Sequence, residues 1–375
     1  MTITVNLHSG LAAWASGAFT LGQRCSSGGN AYQCTTAGSA TAAPTGTGGV
    51  IPVTGGAVFK WLSAVDYTSI VTMTAAFSGT LTDNVVMLIW NNGLIIINDL
   101  SVGATTPGSF TTTMKPAPGE SWRDNVGAGA IGLASPTLGV MIESQINYTN
   151  VIRGTAPGII LYGLQISGNG NSYQVLYNTT GNLIVDCCII QGTSYLAKFY
   201  CDIAGGNIIN NVFISRSAQT VLAVEVDGAS PDIVTFMNNL IIRPSNFTAG
   251  GIGVDGNMGI FSNNAIFGYT TAPTGNIWSG SNNASNVAAC IPPGTTGNLT
   301  TVAFTTATFI QPSAASVLNV RLPSSSALVD AAVTNALIPV DALGTSRPQN
   351  AAPDIGPLES MAAYIPRTPI VVYFG

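Results

Sequence analysis

The stretch Asn210-Asn-Val-Phe-Ile214 decides the fold of this chain, because similar stretches recur on both sides of it. These are Tyr162-Gly-Leu-Gln-Ile166, Asp186-Cys-Cys-Ile-Ile190, Asn238-Asn-Leu-Ile-Ile242 and Asn263-Asn-Ala-Ile-Phe267. When Gly163, Cys187, Asn211, Asn239 and Asn264 are aligned as one column, the steps are 24, 24, 28 and 25 residues. A period in this range is typical of stacked structural repeats.

Short runs of aliphatic and β-branched residues, such as Leu183-Ile-Val185, precede the recurring stretches. No segment of helical length keeps a 3.6-residue period, so few helices are expected. A leucine-rich horseshoe would need regularly spaced leucines and a helix in each repeat, and the sequence has neither. The pattern therefore predicts an all-β chain, a right-handed parallel β-helix. Each coil supplies three short strands, which pair with the next coil at a spacing of about 4.8 Å.

The asparagine column has a physical reason in such a fold. Asparagine tolerates the left-handed conformation of a tight turn, and its side chain hydrogen-bonds to neighbouring backbone. Stacked from coil to coil, these side chains form an amide ladder. We expect the ladder at Asn211, Asn239 and Asn264, beginning only there because Gly163 and Cys187 hold the first two positions of the column.

The composition limits the classes of function. Charged residues make up only 7% of the 375 residues, but the hydrophobic content of 46% argues against disorder. The net charge of -5 and the lack of a basic stripe argue against nucleic-acid binding. No apolar run is long enough to span a membrane, and the first residues do not look like a secretory leader. With one histidine, His8, and no C-x-x-C pair, we expect neither a metal nor another cofactor.

Residues 1–70 read as a small antiparallel β module that is rich in glycine and proline turns. Cys25 and Cys34 flank a predicted hairpin turn, and a cross-strand disulfide is possible between them. The other four cysteines, Cys187, Cys188, Cys201 and Cys290, are expected to be buried free thiols. Tyr32 and Trp61 form either a sugar-binding platform or the core of the module. In residues 71–130, Asn91-Asn92-Gly93 separates two apolar runs and predicts a β-hairpin leading into the helix.

Two segments resemble known proteins. Gly29-Asn-Ala-Tyr-Gln-Cys34, followed by a glycine- and proline-rich loop and by Ala57-Val-Phe-Lys-Trp61, resembles a small module of bacteriophage tail-fibre and other virion proteins. Gly119-Glu-Ser-Trp-Arg-Asp-Asn125 resembles, less specifically, the start of β-helices in phage-encoded proteins. The first resemblance implies that residues 1–70 serve attachment or oligomerisation.

The C-terminal part resembles the closing segment of pectate-lyase-like right-handed β-helix proteins. The resemblance is carried by Arg321-Leu322, Asp341-Ala-Leu-Gly344, Arg347-Pro348 and Pro353-Asp-Ile-Gly-Pro-Leu-Glu359, although Leu358 replaces the usual aromatic residue. It implies a β-helix over 131–308 and a structural cap over 309–375, since an open coil end exposes a sheet edge. The run Ile370-Val-Val-Tyr-Phe374 reads as a final strand that pairs with a neighbouring subunit.

One set of polar residues deserves a test as a catalytic site. Asn178, Asp202, Asp227 and Asp255 precede their ladder positions by 9, 9, 12 and 9 residues, so we expect them to stack on one edge, with Glu225 on the same face as Asp227. Stacked carboxylates can act as a glycosidase pair or bind calcium. The alternative is ordinary turn residues, because Asp227 and Asp255 each precede a glycine. Of the basic residues in the repeats, Arg216 and Arg243 lie away from this column, which argues against a pectate lyase.

Together these features predict a non-enzymatic structural protein of a phage particle. We expect a homotrimer on the virion surface, made in the host cytoplasm. A capsid decoration protein that contacts other virion proteins, such as the major capsid protein, suits the chain length best, and a short tail fibre is the next choice. The alternative is a tail spike that binds or depolymerises a host surface polysaccharide, as a lyase or glycoside hydrolase. A cellular pectate-lyase-like enzyme or adhesin is disfavoured.

Overall fold

The structure is a computed structural model. It describes residues 2–104, 108–127, 129–145, 150–155, 157–168, 174–178, 183–193, 195–200, 206–216, 222–227, 234–247, 250–256, 259–274, 279–313, 318–336 and 338–360. At residues 178, 195, 198–200 and 227 it describes the backbone alone.

The first part of the chain contains short strands and two short helices. In chain order they are β1 (Thr2–Leu7), β2 (Gly17–Phe19), β3 (Arg24–Ser27), β4 (Asn30–Thr36), β5 (Gly38–Ala40), β6 (Ile51–Pro52), β7 (Val58–Ala64), α1 (Ile70–Ala76), β8 (Asn84–Ile89), β9 (Ile95–Ile96), β10 (Leu100–Val102), β11 (Thr112–Pro116) and α2 (Trp122–Asn125). Strands β2 and β5 form an antiparallel pair, and β3, β4, β7 and β6 form a four-stranded antiparallel sheet. These six strands are the N-terminal module.

The remaining strands are short and regular. They are β12 (Met141–Ser144), β13 (Ile152–Gly154), β14 (Ile159–Tyr162), β15 (Gln165–Gly168), β16 (Gln174–Asn178), β17 (Leu183–Asp186), β18 (Ile189–Gly192), β19 (Tyr195–Tyr200), β20 (Gly206–Ile209), β21 (Val212–Ser215), β22 (Val224–Asp227), β23 (Val234–Met237), β24 (Leu240–Ile242), β25 (Val254–Gly256), β26 (Ile260–Ser262), β27 (Ala265–Phe267) and β28 (Ala284–Ser285). A 3-10 helix spans Ala288–Cys290. No helix in the described part of the chain is long and apolar enough to cross a membrane.

Together with β1 and β8–β11, these strands form three parallel sheets that the chain visits in turn. Sheet A has the order β1-β8-β11-β14-β17-β20-β23-β26, sheet B has β9-β12-β15-β18-β21-β24-β27-β28, and sheet C has β10-β13-β16-β19-β22-β25. Each neighbour within a sheet comes from the next coil, which is the topology of a parallel β-helix. The all-β parallel β-helix with a small N-terminal antiparallel module, predicted from the repeats, is confirmed.

The core lies inside the coils and is built from columns of like residues. One column on sheet B, fully buried and in register from coil to coil, consists of Ile142, Ile166, Ile190, Phe213, Ile241 and Ile266. On sheet A, Phe236 stacks on Phe261 with ring centroids 5.5 Å apart. Burying such columns supplies the main stabilisation, since each aliphatic or aromatic side chain contributes about 1.5–3 kcal/mol.

The hairpin predicted around Asn91-Asn92-Gly93 is wrong. Strand β8 pairs in parallel with β1 and β11, whereas β9 pairs in parallel with β12 in another sheet. The residues at 91–93 therefore form a corner of the first complete coil. Two apolar runs separated by Asn-Gly suit a tight reversal, and the short corner of a β-helix has the same local appearance.

The chain enters the β-helix before it forms the module. Strand β1 is the first strand of sheet A and lies in register with β8. The module follows, and α1 then returns the chain to the β-helix, where Ile70 and Met73 are buried in the core of the coils. The predicted unit of residues 1–70 thus contains one strand of the β-helix as well as the module.

The C-terminal segment lies along the side of the β-helix. Residues 318–336 and 338–360, which we call the strap, pack on the outer face of sheet B. There Val320, Leu328 and Ile355 contact a cluster that includes Val212 and Ile214 of β21. The prediction that this segment caps an open end is wrong in its position. The apolar outer face of sheet B needs a cover, and the strap provides it. Residues 361–375, with the predicted final strand, lie outside the described residues.

Candidate functional site

The outer face of sheet C holds Glu225 and Asp255, two of the acidic residues singled out by the sequence. One residue from each strand lies in the same backbone register, and the column reads Ser101, Arg153, Tyr177, Lys198, Glu225 and Asp255. Glu225 and Asp255 are half-buried and occupy neighbouring strands. Because parallel strands lie about 4.8 Å apart, two carboxylates are juxtaposed here, and Lys198 takes the next position along the column.

The register differs from the predicted acidic column. Asp255 lies opposite Glu225, and Asp227 lies opposite Tyr200. Asn178 pairs with Phe199, and Asp202 lies outside the described residues. The predicted stacking of Asp227 with Asp255 is therefore wrong.

The physical reason lies in the connection from sheet C to sheet A. The chain needs 10 residues from Glu225 to Thr235 but only 5 from Asp255 to Ile260, although both pairs of residues are in register. The number of residues between the asparagine column and sheet C therefore differs from coil to coil, and it does not predict which residues of sheet C are in register.

Asp255 is held by a neighbouring loop. Its Oδ1 accepts a hydrogen bond from the Thr274 amide at 2.6 Å, and its Oδ2 accepts one from Thr274 Oγ1 at 2.8 Å. The carboxylate is thus oriented by two contacts of one residue, as in a turn. A pair of carboxylates beside a lysine position can hold a cation or exchange protons with a ligand. Among the described residues, no group of three or more His, Cys, Asp and Glu side chains is placed to hold a metal ion.

Two adjacent asparagine columns form the corner between sheets A and B. The ladder residues Asn211, Asn239 and Asn264 are fully buried. The main-chain N–H of Asn211 donates to Asn239 Oδ1 at 2.9 Å, and the main-chain N–H of Asn239 donates to Asn264 Oδ1 at 3.0 Å. The ladder continues through Asn283 to Asn298, beyond the predicted residues. Each side chain therefore satisfies backbone groups that the corner would leave unpaired.

The preceding residue of each pair has a different role. Asn210, Asn238 and Asn263 have φ of 56°, 54° and 59°, in the left-handed region. Gly163 and Cys187 occupy this same position, with φ of 66° and 56°. The alignment in the sequence placed them one residue away, in the ladder column, and the structure corrects this. The Asn-Asn pair works because its first residue makes the turn and its second stacks.

The strap is fastened to this corner by the turn-forming asparagines. Asn263 Nδ2 donates to the Val333 carbonyl at 2.8 Å, and its Oδ1 accepts from the Val333 amide at 3.0 Å. Asn282 Nδ2 donates to the Ala331 carbonyl at 2.9 Å, and Asn210 Nδ2 donates to the Val340 carbonyl at 3.3 Å. One column thus shapes the turn and binds the strap.

The C-terminal motif residues form a buried polar lock within the strap. Arg347 Nη1 lies 2.7 Å from Glu359 Oε1, and the two side chains are 2% and 1% exposed. The Glu359 amide donates to Asp341 Oδ2, and the Asp354 amide donates to Glu359 Oε1. Burial raises the pKa of the Glu359 carboxyl, and the neighbouring Arg347 opposes this shift. These contacts explain why arginine, glutamate and the two aspartates occur together.

Tyr32 and Trp61, the two candidates for a sugar-binding platform, lie on neighbouring strands of the N-terminal module. Tyr32 is 1% exposed, and its hydroxyl donates to the Gly46 carbonyl at 3.0 Å. Trp61 lies opposite Tyr32, is half-buried and donates from Nε1 to Asn30 Oδ1. Of the two roles that the sequence left open for Tyr32, sugar binding or the core of the module, its burial favours the core.

Cys25 and Cys34 are buried free thiols, without the cross-strand disulfide that the sequence made possible. In the register, Cys25 lies opposite Tyr32 and Cys34 lies opposite Phe59. Since they are not directly opposed, a disulfide would need a change in strand pairing. Burial, followed by the proximity of Cys34, raises the pKa of Cys25 to about 11, which keeps it a thiol.

Two contacts fix the module to the β-helix: an ion pair between Arg24 and Glu120, and a hydrogen bond between His8 and Ser63. Arg24 Nη2 lies 2.6 Å from Glu120 Oε1. His8 is fully buried, stacks on Trp90 at 5.1 Å, and its Nε2 lies 2.7 Å from Ser63 Oγ. Burial, and then the nearby charge of Arg24, lowers the pKa of His8 to about 4. A polar cleft of about 610 Å³ lies at this junction.

The three sheets and the strap define a parallel β-helix protein with an N-terminal module spliced into its first coils. No protein-family model and no curated protein matches the chain. Among solved structures, the chain is similar to the pectate lyase Pel9A, with 11% identity and a TM-score of 0.41 over 79% of this chain and 92% of that chain. The similarity concerns the fold alone.

Proposed function

We propose that this protein is a non-enzymatic structural component of a bacteriophage particle, a capsid decoration protein displayed as a homotrimer on the virion surface. The observation that carries the proposal is the way in which the module is joined to the β-helix. Strand β1 precedes the module and α1 follows it, and both belong to the β-helix. Two anchored ends give a rigid platform, which suits a protein that transmits force between a particle and its surface.

The module offers an attachment surface at this platform. Leu21 and Val50 are 72% and 76% exposed. We assign these two side chains to contact with another virion protein, such as the major capsid protein. The resemblance of residues 29–61 to phage modules supports the same assignment.

Two measurements test the proposal. Cryo-electron microscopy of the phage particle that encodes the chain should locate the protein on the head, with the module toward the capsid. Particles lacking the protein should bind the purified wild type and should not retain the Leu21→Ser/Val50→Ser variant. Val71→Ser, which changes a 56% exposed valine of α1, is the matched control and should bind normally. A location on the tail, or undiminished binding of the double variant, would contradict the proposal.

A second function is favoured by one specific observation, the juxtaposition of Glu225 and Asp255 beside the Lys198 position. This arrangement suits a tail spike that binds or cleaves a host surface polysaccharide. A reducing-sugar assay on that polysaccharide, performed with and without calcium, should then show activity that Glu225→Gln/Asp255→Asn abolishes. Asp99→Asn, an acid outside the pair, is the control. Activity that follows this pattern would replace the structural proposal.

A further inference from the structure

A cleft of about 470 Å³ lies on the outer face of sheet A, where the first strands of that sheet meet α2 and the strap. Val86 and Leu88 of β8 and Leu343 of the strap line it, and all three are half-buried. A cleft of this size with a partly apolar lining is typical of a small-molecule site, provided that a few polar groups converge on it.

The first of these polar groups is Lys115, which lines the cleft from β11. It is half-buried and lies in register with Leu88, and it follows the paired residues Met114 and Leu161, which places it beside Tyr162 of β14. Within the described part of the chain, its ammonium group is in no ion pair and no hydrogen bond. A partly desolvated ammonium group is stabilised by a nearby anion.

Arg123, the second polar group, is held in place while most of its donors stay unused. Its guanidinium carbon lies 5.2 Å from the ring centroid of Tyr162, and Nη1 donates to the Tyr162 hydroxyl. A Cβ at Gly344 of the strap would lie 3.2 Å from Nη2, so the glycine leaves room for the guanidinium. Among the described residues, the bond to Tyr162 is the only hydrogen bond of the guanidinium, and Nε is buried without an acceptor.

Tyr162 supplies a third donor to the cleft. Its hydroxyl oxygen accepts from Arg123, so the hydroxyl proton remains to be donated, and no acceptor for it lies among the residues that the structure describes. Burial raises the pKa of this phenol, which keeps the proton on the oxygen at neutral pH. Lys115, Arg123 and Tyr162 therefore line one cleft with donors that no protein group accepts.

Two carboxylates near the cleft are engaged elsewhere. Asp124 lines the cleft but is exposed, and its Oδ2 accepts from the main-chain N–H of Ser121 at 3.3 Å. Asp186 follows Tyr162 in the register without lining the cleft, and its Oδ1 accepts from Cys187 Sγ at 3.0 Å. Solvent screens the exposed carboxylate. The two cations of the cleft therefore leave an excess of positive charge.

We propose that this cleft binds a small organic carboxylate. The carboxylate accepts hydrogen bonds from Lys115, Arg123 and Tyr162, and the apolar body of the ligand packs on the side chains of β8 and the strap. The planar N–H groups of arginine match the two oxygens of a carboxylate. The apolar lining favours an organic acid over a free inorganic anion. This site goes beyond the structural role proposed above and does not depend on it.

The test measures the binding of benzoate to the full chain by titration in ligand-observed NMR spectroscopy. Benzoate has both the charge and the apolar body, whereas benzamide lacks the charge and acetate lacks the ring. We expect benzoate to bind the wild type and each of the other two probes to bind at least about tenfold more weakly, because each loses one of the two kinds of contact.

Two variants remove single donors from the site. Lys115→Gln should weaken the binding of benzoate by about tenfold, since it removes a charged hydrogen bond. Lys60→Gln removes the same charge from β7 of the module and is the matched control, which should bind as the wild type does. Tyr162→Phe keeps the ring and should also weaken binding, so the test stays valid if Lys115→Gln does not fold. Circular dichroism should show the β-sheet spectrum of the wild type for each variant.

A third variant tests the apolar part of the site. Val86→Thr keeps the shape of the side chain but adds a hydroxyl, so it should weaken benzoate and leave acetate unchanged. A wild type that does not bind benzoate, or equal affinities of the wild type, Lys115→Gln and Tyr162→Phe, would overturn the site. Equal binding of benzoate and benzamide would overturn the carboxylate as the recognised group. Inorganic phosphate bound as tightly as benzoate would overturn the organic ligand.

Discussion

Sheets B and C differ most clearly within a single coil. In β21 the outward residues Val212 and Ile214 are fully buried beneath the strap. In β22, the next strand of that coil, the outward residue Glu225 is half-buried. Both strands present apolar residues to the same interior. A strand covered on both faces becomes almost wholly apolar, and a strand covered on one face alternates. The outward residues therefore record which segment covers the sheet.

Breaking the buried ion pair of the strap should have the largest effect. Arg347→Ala leaves the Glu359 carboxylate buried without its partner, so we expect the free energy of unfolding to fall by about 3–5 kcal/mol. Urea denaturation followed by circular dichroism measures this change.

The matched control is the ion pair on the sheet C side. Arg153 and Asp99 lie 2.9 Å apart, with side chains 38% and 35% exposed. Arg153→Ala should cost at most about 1 kcal/mol, because solvent screens an exposed pair. Equal losses for the two variants would contradict the contrast between the covered and the open face.

The next effect tests the packing of the strap on sheet B. Ile214→Ala removes a buried side chain from the cluster between β21 and the strap, and we expect a loss of about 2–5 kcal/mol in unfolding free energy. Limited proteolysis should cut the strap of this variant faster than that of the wild type. Protection equal to that of the wild type would show that Ile214 does not hold the strap.

The coil, the strand positions and the ladder residues could be predicted because they depend on local rules. The recurring apolar runs around Asn211 and Asn239 identify a β-helix from sequence spacing alone. Sequence reasoning missed the separation of turn and ladder columns by one residue, although the doubled asparagines were the signal. Extension of the ladder to Asn283 was also indicated by Asn282-Asn283-Ala284, which resembles the stretch beginning at Asn263.

The remaining features depend on contacts between distant residues. The place of the strap and the Arg347–Glu359 lock could not be read from a motif, because an apolar segment does not reveal which face it covers. The pairing of Glu225 with Asp255 was missed because the connections between sheets vary in length. The hairpin error at Asn91-Asn92-Gly93 has a similar origin, since a coil corner and a reversal share the same residues.

Burial also controls charge at His8, on the junction with the module. The pKa of His8 is lowered to about 4 in the folded chain, against about 6.5 unfolded. As the pH falls, His8 takes up a proton in the unfolded chain before it does so in the folded chain. The contribution of neutral His8 to the free energy of unfolding is therefore complete above pH 6.5 and is lost as the pH falls toward 4. Between pH 7 and a pH well below 4, the free energy of unfolding falls by about 3 kcal/mol through this one group.

The measurement compares wild type with His8→Gln by urea denaturation between pH 7 and pH 4. The wild type's advantage should shrink as the pH falls, since glutamine does not titrate. Arg24 and Asp66, the charged groups near His8, are present in both proteins. A constant difference across this range would contradict the assignment of a neutral buried histidine.

The smallest effect belongs to Glu225 on the open face of sheet C. Glu225 is half-buried, so solvent screens the charge of its register neighbour Asp255. Glu225→Gln should therefore change the free energy of unfolding by no more than about 0.5 kcal/mol, and added salt should reduce the difference further. Val212→Gln, on the covered face of the same coil, is the comparison and should cost several times more, because it places an amide beneath the strap. A loss at Glu225 as large as that at Val212 would mean that sheet C is covered in solution by a further partner.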